Sequence, residues 1–299
     1  MNNILVTGGA GFIGSNLVKK LLVDDEHSKI YVVDNFTTGK VEIKNKRVKY
    51  FNKNVNDIFK IRGLHQIKFS VIFHLAAKPR IQPSFKDPVG TMEANFNGTQ
   101  AALEFARYNK CKLIYAGSSS AAGDPNVNPY TASKYYGEQL LELYSKSFGV
   151  ETISTRFYNV YGPGNLQDEE TGNLIGILQK QYMNNTPFTI IEDCKEKRRD
   201  FTHVYDICDG LIEVYKNKNI PSNSILNLGR GVNHSIYDIV QYFQQASKRE
   251  IVIETIPKRS GEMTTTLRAF TQTDMIMNFD PTLNVDEWIK EWVENYDAR

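Results

Sequence analysis

A glycine-rich turn between an apolar strand and a helix constrains this chain more than any other feature. The run Thr7–Gly14 follows the strand-like Ile4–Val6 and opens a helix-like stretch. In that position Gly8 permits a tight turn, Gly11 lets the backbone approach a diphosphate, and Gly14 lets helix and strand pack closely. The first amides of the helix can meet the phosphate charge. The turn therefore predicts a strand–helix–strand unit that binds a dinucleotide.

A carboxylate after the second strand indicates which dinucleotide is bound. Asp34 closes Ile30–Val33 about 20 residues after the glycines, where a carboxylate can accept hydrogen bonds from both ribose hydroxyls of NAD. The 2′-phosphate of NADP would be repelled there, and Asn35–Gly39 contains no arginine to neutralise it, with Lys40 the first cation after this stretch. We therefore predict NAD as the cofactor, with Asp34 and Asn35 among its contacts.

Apolar runs alternate with helix-like stretches over the first half of the chain. The strand candidates are Ile4–Val6, Ile30–Val33, Val71–Phe73, Leu113–Ala116 and Glu151–Thr155, and the first helices are predicted at Phe12–Val23, Pro88–Arg107 and Tyr130–Ser147. This order predicts an α/β fold, a Rossmann doubly wound parallel sheet with helices on both faces. After residue 158 the alternation fades, and helices are predicted at 174–183, 204–216 and 235–246.

The change in pattern also suggests two interleaved domains. We expect an NAD-binding domain over residues 1–160, with a return segment at about 199–222. A smaller C-terminal substrate-binding lobe would then consist of residues 161–198 and 223–299. No internal repeat or low-complexity linker separates the two.

The composition gives no sign of a nucleic acid or membrane partner. The 299 residues are 41% hydrophobic and carry a formal net charge of +2, with lysines interleaved among acids. No apolar run approaches the roughly 20 residues needed to span a bilayer. Cys111, Cys194 and Cys208 form no Cys-x-x-Cys pair, and the five histidines lack metal-ligand spacing. We therefore expect reduced thiols, a cytoplasmic location and no metal.

Tyr130 and Lys134 lie four residues apart at the start of a predicted helix. This spacing puts both side chains on one face, where the ammonium can favour the ionised form of the phenol. Tyr108 and Lys112 have the same spacing, but they end a helix and begin a strand, so they need not share a face. The first pair therefore predicts a base that removes a proton from an alcohol beside the cofactor.

Several more motifs occur in a characteristic order along nearly the whole chain. They are residues 34–39, His74–Ala77, Asn95–Thr99, the serine run before Gly123, Arg156–Asn159 and Arg199–Phe201. With the glycine turn and Tyr130, they resemble the extended short-chain dehydrogenase/reductase family, and its nucleotide-sugar 4-epimerases in particular. The resemblance implies further cofactor contacts, namely Phe12, Ile13, Leu75, Ala76, Ala77, Asn95 and Tyr158, with Lys134 and Tyr130 also touching the cofactor. Asn54 and Val55 stand near the adenine, where the family usually has an aspartate and an aliphatic residue, and His74 is expected to be structural.

The resemblance places a third catalytic hydroxyl at Ser118, five residues before Gly123, with Ser119 and Ser120 as alternatives. Dehydratases of the family follow this position with Asp-Glu, the acid and base that eliminate water. Ser119 and Ser120 stand there instead, which favours a reaction that only removes and returns hydride. The link from Ser118 to Tyr130 is shorter than in most relatives, so it could open the site or shift the serine.

For the second lobe, the resemblance implies that a nucleoside diphosphate is bound by Asn159, Asn173, Leu174, Arg199 and Arg259. Arginine suits this role because its planar fork matches phosphate oxygens. Thr266 would limit the sugar pocket and, being small, could admit an N-acetylated hexose. Lys195 and Lys197, in the same basic cluster as Arg199, are expected to remain at the surface.

The resemblance implies an NAD-dependent epimerase that inverts C4 of a nucleotide sugar through a transient 4-keto intermediate. Tyr130, held by Lys134 and helped by Ser118, would remove the 4-hydroxyl proton. A UDP-hexose or UDP-N-acetylhexosamine is expected from family prevalence, with a homodimer formed by the helices at 88–107 and 130–147. The alternatives are a nucleotide-sugar dehydratase, decarboxylase or reductase, and a non-catalytic NAD-sensing protein.

Overall fold

Strands and helices alternate along the chain as the sequence predicts. The computed structural model describes residues 2–168, 171–271 and 274–298. The strands are β1 (Asn3–Thr7), β2 (Lys29–Asp34), β3 (Val48–Asn52), β4 (Val71–His74), β5 (Lys112–Ser118), β6 (Thr152–Phe157), β7 (Val160–Tyr161), β8 (Phe188–Ile191), β9 (Arg198–Asp200), β10 (Thr202–His203), β11 (Ser224–Leu228), β12 (Asn233–Ser235) and β13 (Ile253–Ile256). The helices are α1 (Phe12–Asp24), α2 (Ile81–Lys86), α3 (Pro88–Met92), α4 (Gly98–Asn109), α5 (Pro129–Phe148), α6 (Leu174–Asn184), α7 (Val204–Lys216), α8 (Ile236–Ala246) and α9 (Val285–Asp297).

Seven strands form one sheet in the order β11-β6-β5-β4-β1-β2-β3. The chain thus begins in the middle of the sheet and winds outward in both directions, which confirms the predicted doubly wound α/β fold. Thr7 lies opposite Val33 and His74 in parallel pairs. The carboxyl ends of β1, β2 and β4 therefore meet at one edge, where ligands bind in such sheets.

The central strands are buried on both faces. Leu5, Val6, Ile72 and Phe73 are fully buried, so these strands read as continuous apolar runs without alternation. Side chains of α4 and α5, such as Leu141, complete the core on one face. Within the described part of the chain, no helix is both long and apolar enough to cross a membrane.

The helix predicted over Pro88–Arg107 is interrupted. After α3, one π-helical turn spans Glu93–Asn97, and α4 continues as a regular helix. Such turns are rare and often occur at functional sites. Here the turn carries Asn95, which the structure buries to 1% exposure.

The chain divides into two compact units, each built from three separate segments of the chain. The first contains Met1–Arg156, Cys208–Asn227 and Phe270–Phe279, and the second contains Phe157–Ile207, Leu228–Ala269 and Asp280–Arg299. The chain thus returns to the first unit at Cys208, where the sequence suggested about residue 199. It also stays there through residue 227, because β11 pairs at the edge of the large sheet.

An aromatic core holds the second unit together. Tyr182 of α6, Phe243 of α8 and Trp292 of α9 contact one another, with ring centroids 5.9 to 6.2 Å apart. Helix α9 was not among the predicted elements. Its buried residues Val285, Ile289 and Val293 recur every four positions, which is the pattern of one helix face and could have revealed it.

A buried carboxylate joins three segments of the second unit. Asp200 is fully buried, and its Oδ1 accepts hydrogen bonds from Arg230 N at 2.8 Å and Thr202 Oγ1 at 3.3 Å. Its Oδ2 accepts from Gly231 N at 2.9 Å and Arg268 N at 3.0 Å. These bonds hold the residues around Asp200 in the second unit. The sequence analysis had instead assigned the chain from about residue 199 to the first domain.

We expect Asp200→Asn to lower the free energy of unfolding by about 3 kcal/mol. The amide would turn an NH₂ group toward backbone N–H donors, and hydrogen bonds to a buried charged group contribute about 1.5–3 kcal/mol each. Urea denaturation followed by tryptophan fluorescence measures the loss. The matched control is Asp209→Asn at an exposed pair with Lys20, where a change below about 1 kcal/mol is expected. An equal effect of the two substitutions would contradict this role for Asp200.

Candidate active site

The glycine turn forms between β1 and α1 as predicted. Gly8 has a positive φ of 73°, and a Cβ there would lie 2.6 Å from Ala76 N. A Cβ at Gly14 would lie 2.1 Å from Gly8 O. At Gly11, by contrast, a Cβ would meet only Gly8 O, at 3.3 Å, among the described atoms. The protein's own packing therefore requires glycine at positions 8 and 14, whereas Gly11 leaves space above the turn.

Alanine at Gly11 and at Gly14 should consequently have different effects. We expect Gly11→Ala to change the free energy of unfolding by less than about 1 kcal/mol. It should nevertheless lower NAD affinity at least about tenfold, or about 1.4 kcal/mol, because its methyl group occupies the approach to the diphosphate. Gly14→Ala should lower both stability and affinity. Calorimetric NAD titration and urea denaturation test this, and undiminished NAD affinity in Gly11→Ala would contradict it.

Asp34 lies at the end of β2 beside the glycine turn. It is 8% exposed, and its oxygens accept hydrogen bonds from Ala10 N at 2.9 Å and Phe36 N at 2.8 Å. Each oxygen keeps a second lone pair, so the carboxylate can still accept from hydroxyl groups. Asn35 donates to Asn54 Oδ1 at 2.6 Å, which joins two of the predicted cofactor contacts.

Gly39 is a residue of this region whose role the sequence did not reveal. A Cβ at Gly39 would lie 2.3 Å from Ala10 O, and Val41 N donates to the same carbonyl at 3.2 Å. The segment after β2 therefore lies directly across the glycine turn. Val55 is buried and Asn54 exposed at the start of a short 3₁₀ helix.

A chain of hydrogen bonds holds His74 at the end of β4. Thr7 Oγ1 donates to His74 Nδ1 at 2.7 Å, His74 Nε2 donates to Thr99 Oγ1 at 3.1 Å, and Thr99 donates to Asn95 O at 2.6 Å. We assign these directions from the Thr99 bond. Burial, with a smaller effect of the Lys134 charge, lowers the pKa of His74 to about 3. His74 is therefore a neutral structural residue, in agreement with the prediction.

Asn95 fastens the segment after β4 to α5. Its Oδ1 accepts from Lys78 N at 2.7 Å, and its Nδ2 donates to Lys78 O at 3.0 Å and Ser133 Oγ at 2.9 Å. The amide expected to contact the cofactor is thus engaged with the protein itself. It fixes the segment Leu75–Ala77, whose Leu75 N donates to Thr7 O at 3.0 Å.

Ser118 and Tyr130 meet at the end of β5. Burial raises the pKa of the Tyr130 phenol, and a hydrogen bond from Ser118 opposes that increase. Ser118 Oγ also lies 2.9 Å from Ser120 Oγ. Asn128 begins α5, since its Oδ1 accepts from Thr131 N at 2.7 Å. With this short link, Ser118 and Tyr130 still lie within hydrogen-bonding distance of each other.

Lys134 lies one turn after Tyr130 and is 5% exposed. Its Nζ donates to Ala116 O at 2.7 Å and lies 5.0 Å from the centre of the Tyr115 ring. Burial lowers the pKa of Lys134 to about 8, against the opposing charge of Glu138. The predicted pair thus occupies one end of α5, with the ammonium directed at β5.

Tyr130 has an environment that the sequence analysis did not anticipate. Burial raises the pKa of its phenol, and the Ser118 hydrogen bond and then the charge of Arg80 oppose that increase. Arg80 is therefore one cation that lowers this pKa. The expectation assigned that role to Lys134, whose ammonium donates to Ala116 O.

Arg80 has an uncommon backbone conformation. Its φ is 86°, in a region that residues other than glycine rarely adopt. It directly precedes α2 as its N-cap residue, and Ser84 of that helix accepts a hydrogen bond from Tyr130 N at 3.2 Å. The strained residue thus lies on the element that packs against the start of α5. An arginine just beyond the His74–Ala77 motif was the signal that could have identified it.

The second unit brings two predicted substrate residues together. Asn159 Nδ2 donates to Thr266 Oγ1 at 3.0 Å and to Asp200 O at 3.2 Å. Thr266 is 8% exposed, so its small side chain closes this part of the unit. Tyr158 is buried next to Asn159, and a Cβ at Gly229 would lie 3.0 Å from its ring.

Asn173 caps helix α6. Its Oδ1 accepts from Gly176 N at 2.6 Å, and its Nδ2 donates to Val160 O at 2.9 Å. The side-chain amide is therefore engaged in the cap. The backbone amides of Leu174 and Ile175, the two residues after Asn173, lie at the start of α6. N–H groups at a helix start lack intrahelical partners and can bind an anion.

Arg199 and Arg259 both lie in the second unit but have different surroundings. Arg199 Nη1 donates to Arg198 O at 3.0 Å and Thr264 O at 3.1 Å, and its Nη2 lies 3.6 Å from Glu262 Oε2. Burial lowers the pKa of Arg199, and the charge of Glu262 opposes this. Arg259 is exposed in the segment after β13.

The expectation that Lys197 remains at the surface is wrong. Lys197 is 6% exposed, and its Nζ donates to Glu262 O at 3.1 Å and Met263 O at 3.5 Å. The ammonium ties the 262–263 segment to the residues before β9, so it cannot remain in solvent. Lys195 is exposed, as expected, and its Nζ lies 5.0 Å from the centre of the Tyr237 ring.

Comparison with known proteins extends over both units. Residues 4–229 match the sequence model of the NAD dependent epimerase/dehydratase family. A putative UDP-glucose 4-epimerase of Methanocaldococcus jannaschii is 32% identical over 256 residues, which cover 80% of this chain and 81% of the relative. UDP-glucuronic acid decarboxylase 1 of Arabidopsis thaliana is 27% identical over 316 residues, 99% of this chain and 70% of the relative. The structure of UDP-glucose 4-epimerase from Thermotoga maritima with UDP-glucose has a TM-score of 0.87 and 26% identity, with 99% of each chain covered.

Proposed function

The chain belongs to the NAD dependent epimerase/dehydratase family, and from this premise we propose that it is an NAD-dependent enzyme that inverts C4 of a UDP-sugar. The observation that carries the proposal is the hydrogen bond between Ser118 and Tyr130, with Lys134 one turn further along α5. These side chains are the ones needed to deprotonate an alcohol. They lie in the same unit as the glycine turn.

The residues of the first unit fit NAD. The space above Gly11 and the free amides at the start of α1 suit a diphosphate, and the remaining lone pairs of Asp34 suit ribose hydroxyls. When bound, NAD takes a hydride from the sugar carbon and returns it. The other contacts that we propose in this unit are Phe12, Ile13, Asn35, Asn54, Val55, Leu75, Ala76 and Ala77, with Tyr130 and Lys134.

Tyr130 acts as the base in this proposal. Its phenolate accepts the proton of the sugar 4-hydroxyl and becomes the neutral phenol, and Ser118 orders that hydroxyl by hydrogen bonding. Because burial raises the Tyr130 pKa, the base depends on nearby positive charge to ionise near neutral pH. Arg80 and the Lys134 ammonium supply that charge. Tyr130 would return the proton to the sugar oxygen when the alcohol forms again with C4 inverted.

The second unit provides groups that suit the nucleotide and sugar. We assign the diphosphate to the first amides of α6, to Arg199 and to Arg259. The proposed sugar contacts are Asn159 and Thr266, whose side chains are hydrogen-bonded to each other. Because residue 266 is small, we include N-acetylated hexoses among the proposed sugars.

Similarity to a UDP-glucuronic acid decarboxylase supports a second candidate. Oxidation at C4 of a UDP-hexuronate places a ketone β to the carboxylate, which makes loss of CO₂ facile. Decarboxylation would therefore use the same Tyr130 and Ser118. Dehydration is less well supported, because Ser119 and Ser120 offer no carboxylate to eliminate water.

Proton NMR of the sugar products distinguishes these reactions. The purified protein is incubated with UDP-glucose, UDP-galactose, their N-acetylated counterparts and UDP-glucuronate. We expect a mixture of C4 epimers from at least one pair, without net consumption of NAD. A pentose product would support decarboxylation, and accumulation of a keto sugar would also overturn the epimerase proposal.

We further propose that the enzyme is a cytoplasmic homodimer. Tyr136 and Leu143 of α5 are seven residues apart on one helix face and are 42% and 50% exposed. Val89 of α3 adds an apolar side chain that is 75% exposed. Exposed apolar surface of this kind suits contact with a second copy. Sedimentation showing only monomers would refute the dimer.

A further inference from the structure

A carboxylate is buried one turn beyond Lys134 on α5. Glu138 is 4% exposed, and its Oε1 accepts from Arg156 Nε at 2.9 Å and Ser154 Oγ at 2.9 Å. Its Oε2 accepts from Arg156 Nη2 at 2.7 Å. The guanidinium thus forms a two-pronged pair with Glu138 from β6, the strand beside β5.

The pair packs against the part of β5 that holds the active-site groups. Tyr130, Lys134 and Glu138 recur every four residues, so they share one face of α5. A Cβ at Gly117 would lie 3.1 Å from Glu138 Oε1 and 2.8 Å from Ser154 Oγ. The Glu138 carboxylate therefore packs against β5 at Gly117. The residues on either side of Gly117 are Ala116, which contacts Lys134, and Ser118, which contacts Tyr130.

Among the described residues, Glu138 is the carboxylate whose charge raises the pKa of Lys134, and Tyr130, one turn before Lys134, becomes an anion only when it ionises as the proposed base. His74 faces Lys134 from β4 and is neutral, since burial lowers its pKa to about 3. Tyr115 faces it from β5 and is also neutral, since burial raises its pKa. The pKa of Lys134 is lowered to about 8. A further decrease of this pKa by about one unit would leave Lys134 uncharged in half of the molecules at pH 7.

Stability alone does not account for such a pair. Replacing a buried ion pair with apolar residues of similar volume is often neutral or stabilising, because the charges lose their hydration. We propose that Glu138 and Arg156 form a positioning pair: the Glu138 carboxylate keeps the Lys134 ammonium charged, and Arg156 with Ser154 holds that carboxylate against β5. This inference rests on the proposed function, in which Lys134 acts in its charged form.

The pH dependence of kcat/KM for C4 inversion tests the pair. In the wild type we expect the alkaline limb to report loss of the Lys134 proton. Glu138→Gln should move that limb to lower pH by about one unit, because it removes the neighbouring negative charge. Glu138→Asp and Arg156→Lys keep both charges and should leave the limb in place while lowering stability. A merely structural role would lower activity in all three variants without moving the limb.

Two measurements keep the outcome decisive. Where Glu138→Gln alone does not fold, Glu138→Gln with Arg156→Gln removes the pair without leaving a buried charge. The limb should again move to lower pH, but by less, because the positive charge of Arg156 is lost too. Circular dichroism and retained NAD report folding. A wild-type protein that interconverts no UDP-sugar would overturn the proposed function. An active wild type with an unmoved limb in the variant that lacks the carboxylate would overturn this inference alone.

Discussion

Tyr130→Phe should lower kcat for C4 inversion by about 10³-fold or more, at the upper end of what a general base contributes. The substitution keeps the ring and its packing and removes only the hydroxyl that bonds Ser118. The NAD affinity should change far less than kcat, because the glycine turn and Asp34, which supply other proposed NAD contacts, lie on other elements. Initial rates with the best UDP-sugar and calorimetric NAD titration provide the two measurements.

The matched control for this prediction is Tyr108→Phe. Tyr108 precedes Lys112 by the same four residues, but it is 53% exposed and lies at the end of α4. Its loss should leave kcat unchanged. Turnover within about tenfold of the wild type in Tyr130→Phe would exclude this phenol as the base.

The parts of the fold and site that the sequence predicts are those set by local pattern. The glycine turn requires only a strand, three glycines and a helix start. The role of each glycine follows from its position in the eight-residue run Thr7–Gly14. Tyr130 follows from a helix start in the same way, whereas Ser118 was assigned from the family resemblance. Because parallel strands bring such ends to one edge, the predicted residues come together even though the link between them is short.

The features that sequence analysis missed depend on distant partners. In the sequence, Lys197 is one of four clustered cations. It is buried because its ammonium binds the carbonyls of Glu262 and Met263, which lie 65 and 66 residues away in the chain. The extent of the return segment depends on pairing of β11 at the sheet edge and on the bonds of Asp200. Such pairings leave no periodic signal in either segment. Arg80 was missed for a different reason, since only the folded backbone shows its positive φ.

The second large effect that we expect is loss of stability in mild acid. His74 and His203 are 1% and 2% exposed, and burial lowers their pKa values to about 3 and about 4 from an ordinary value of 6.5. Between pH 6.5 and 4 the unfolded chain therefore binds more protons at these positions than the folded chain. By linkage, the free energy of unfolding falls as the pH falls through this window. Each histidine contributes about 2 kcal/mol at pH 5, so the pair should cost about 4 kcal/mol relative to pH 7.

Urea denaturation at pH 7, 6 and 5 measures this loss, and a histidine variant assigns it. His203 accepts a hydrogen bond from Tyr205 N at 3.2 Å, and glutamine can replace that acceptor without titrating. His203→Gln should therefore remove about half of the difference between pH 7 and pH 5, even if it lowers stability at both. His65→Gln, at an exposed position, should leave the difference unchanged. Domains are stable by only about 5–15 kcal/mol, so a loss of this size is readily measured. An unfolding free energy that stays constant from pH 7 to pH 5 would show that neither ring is buried as a neutral group.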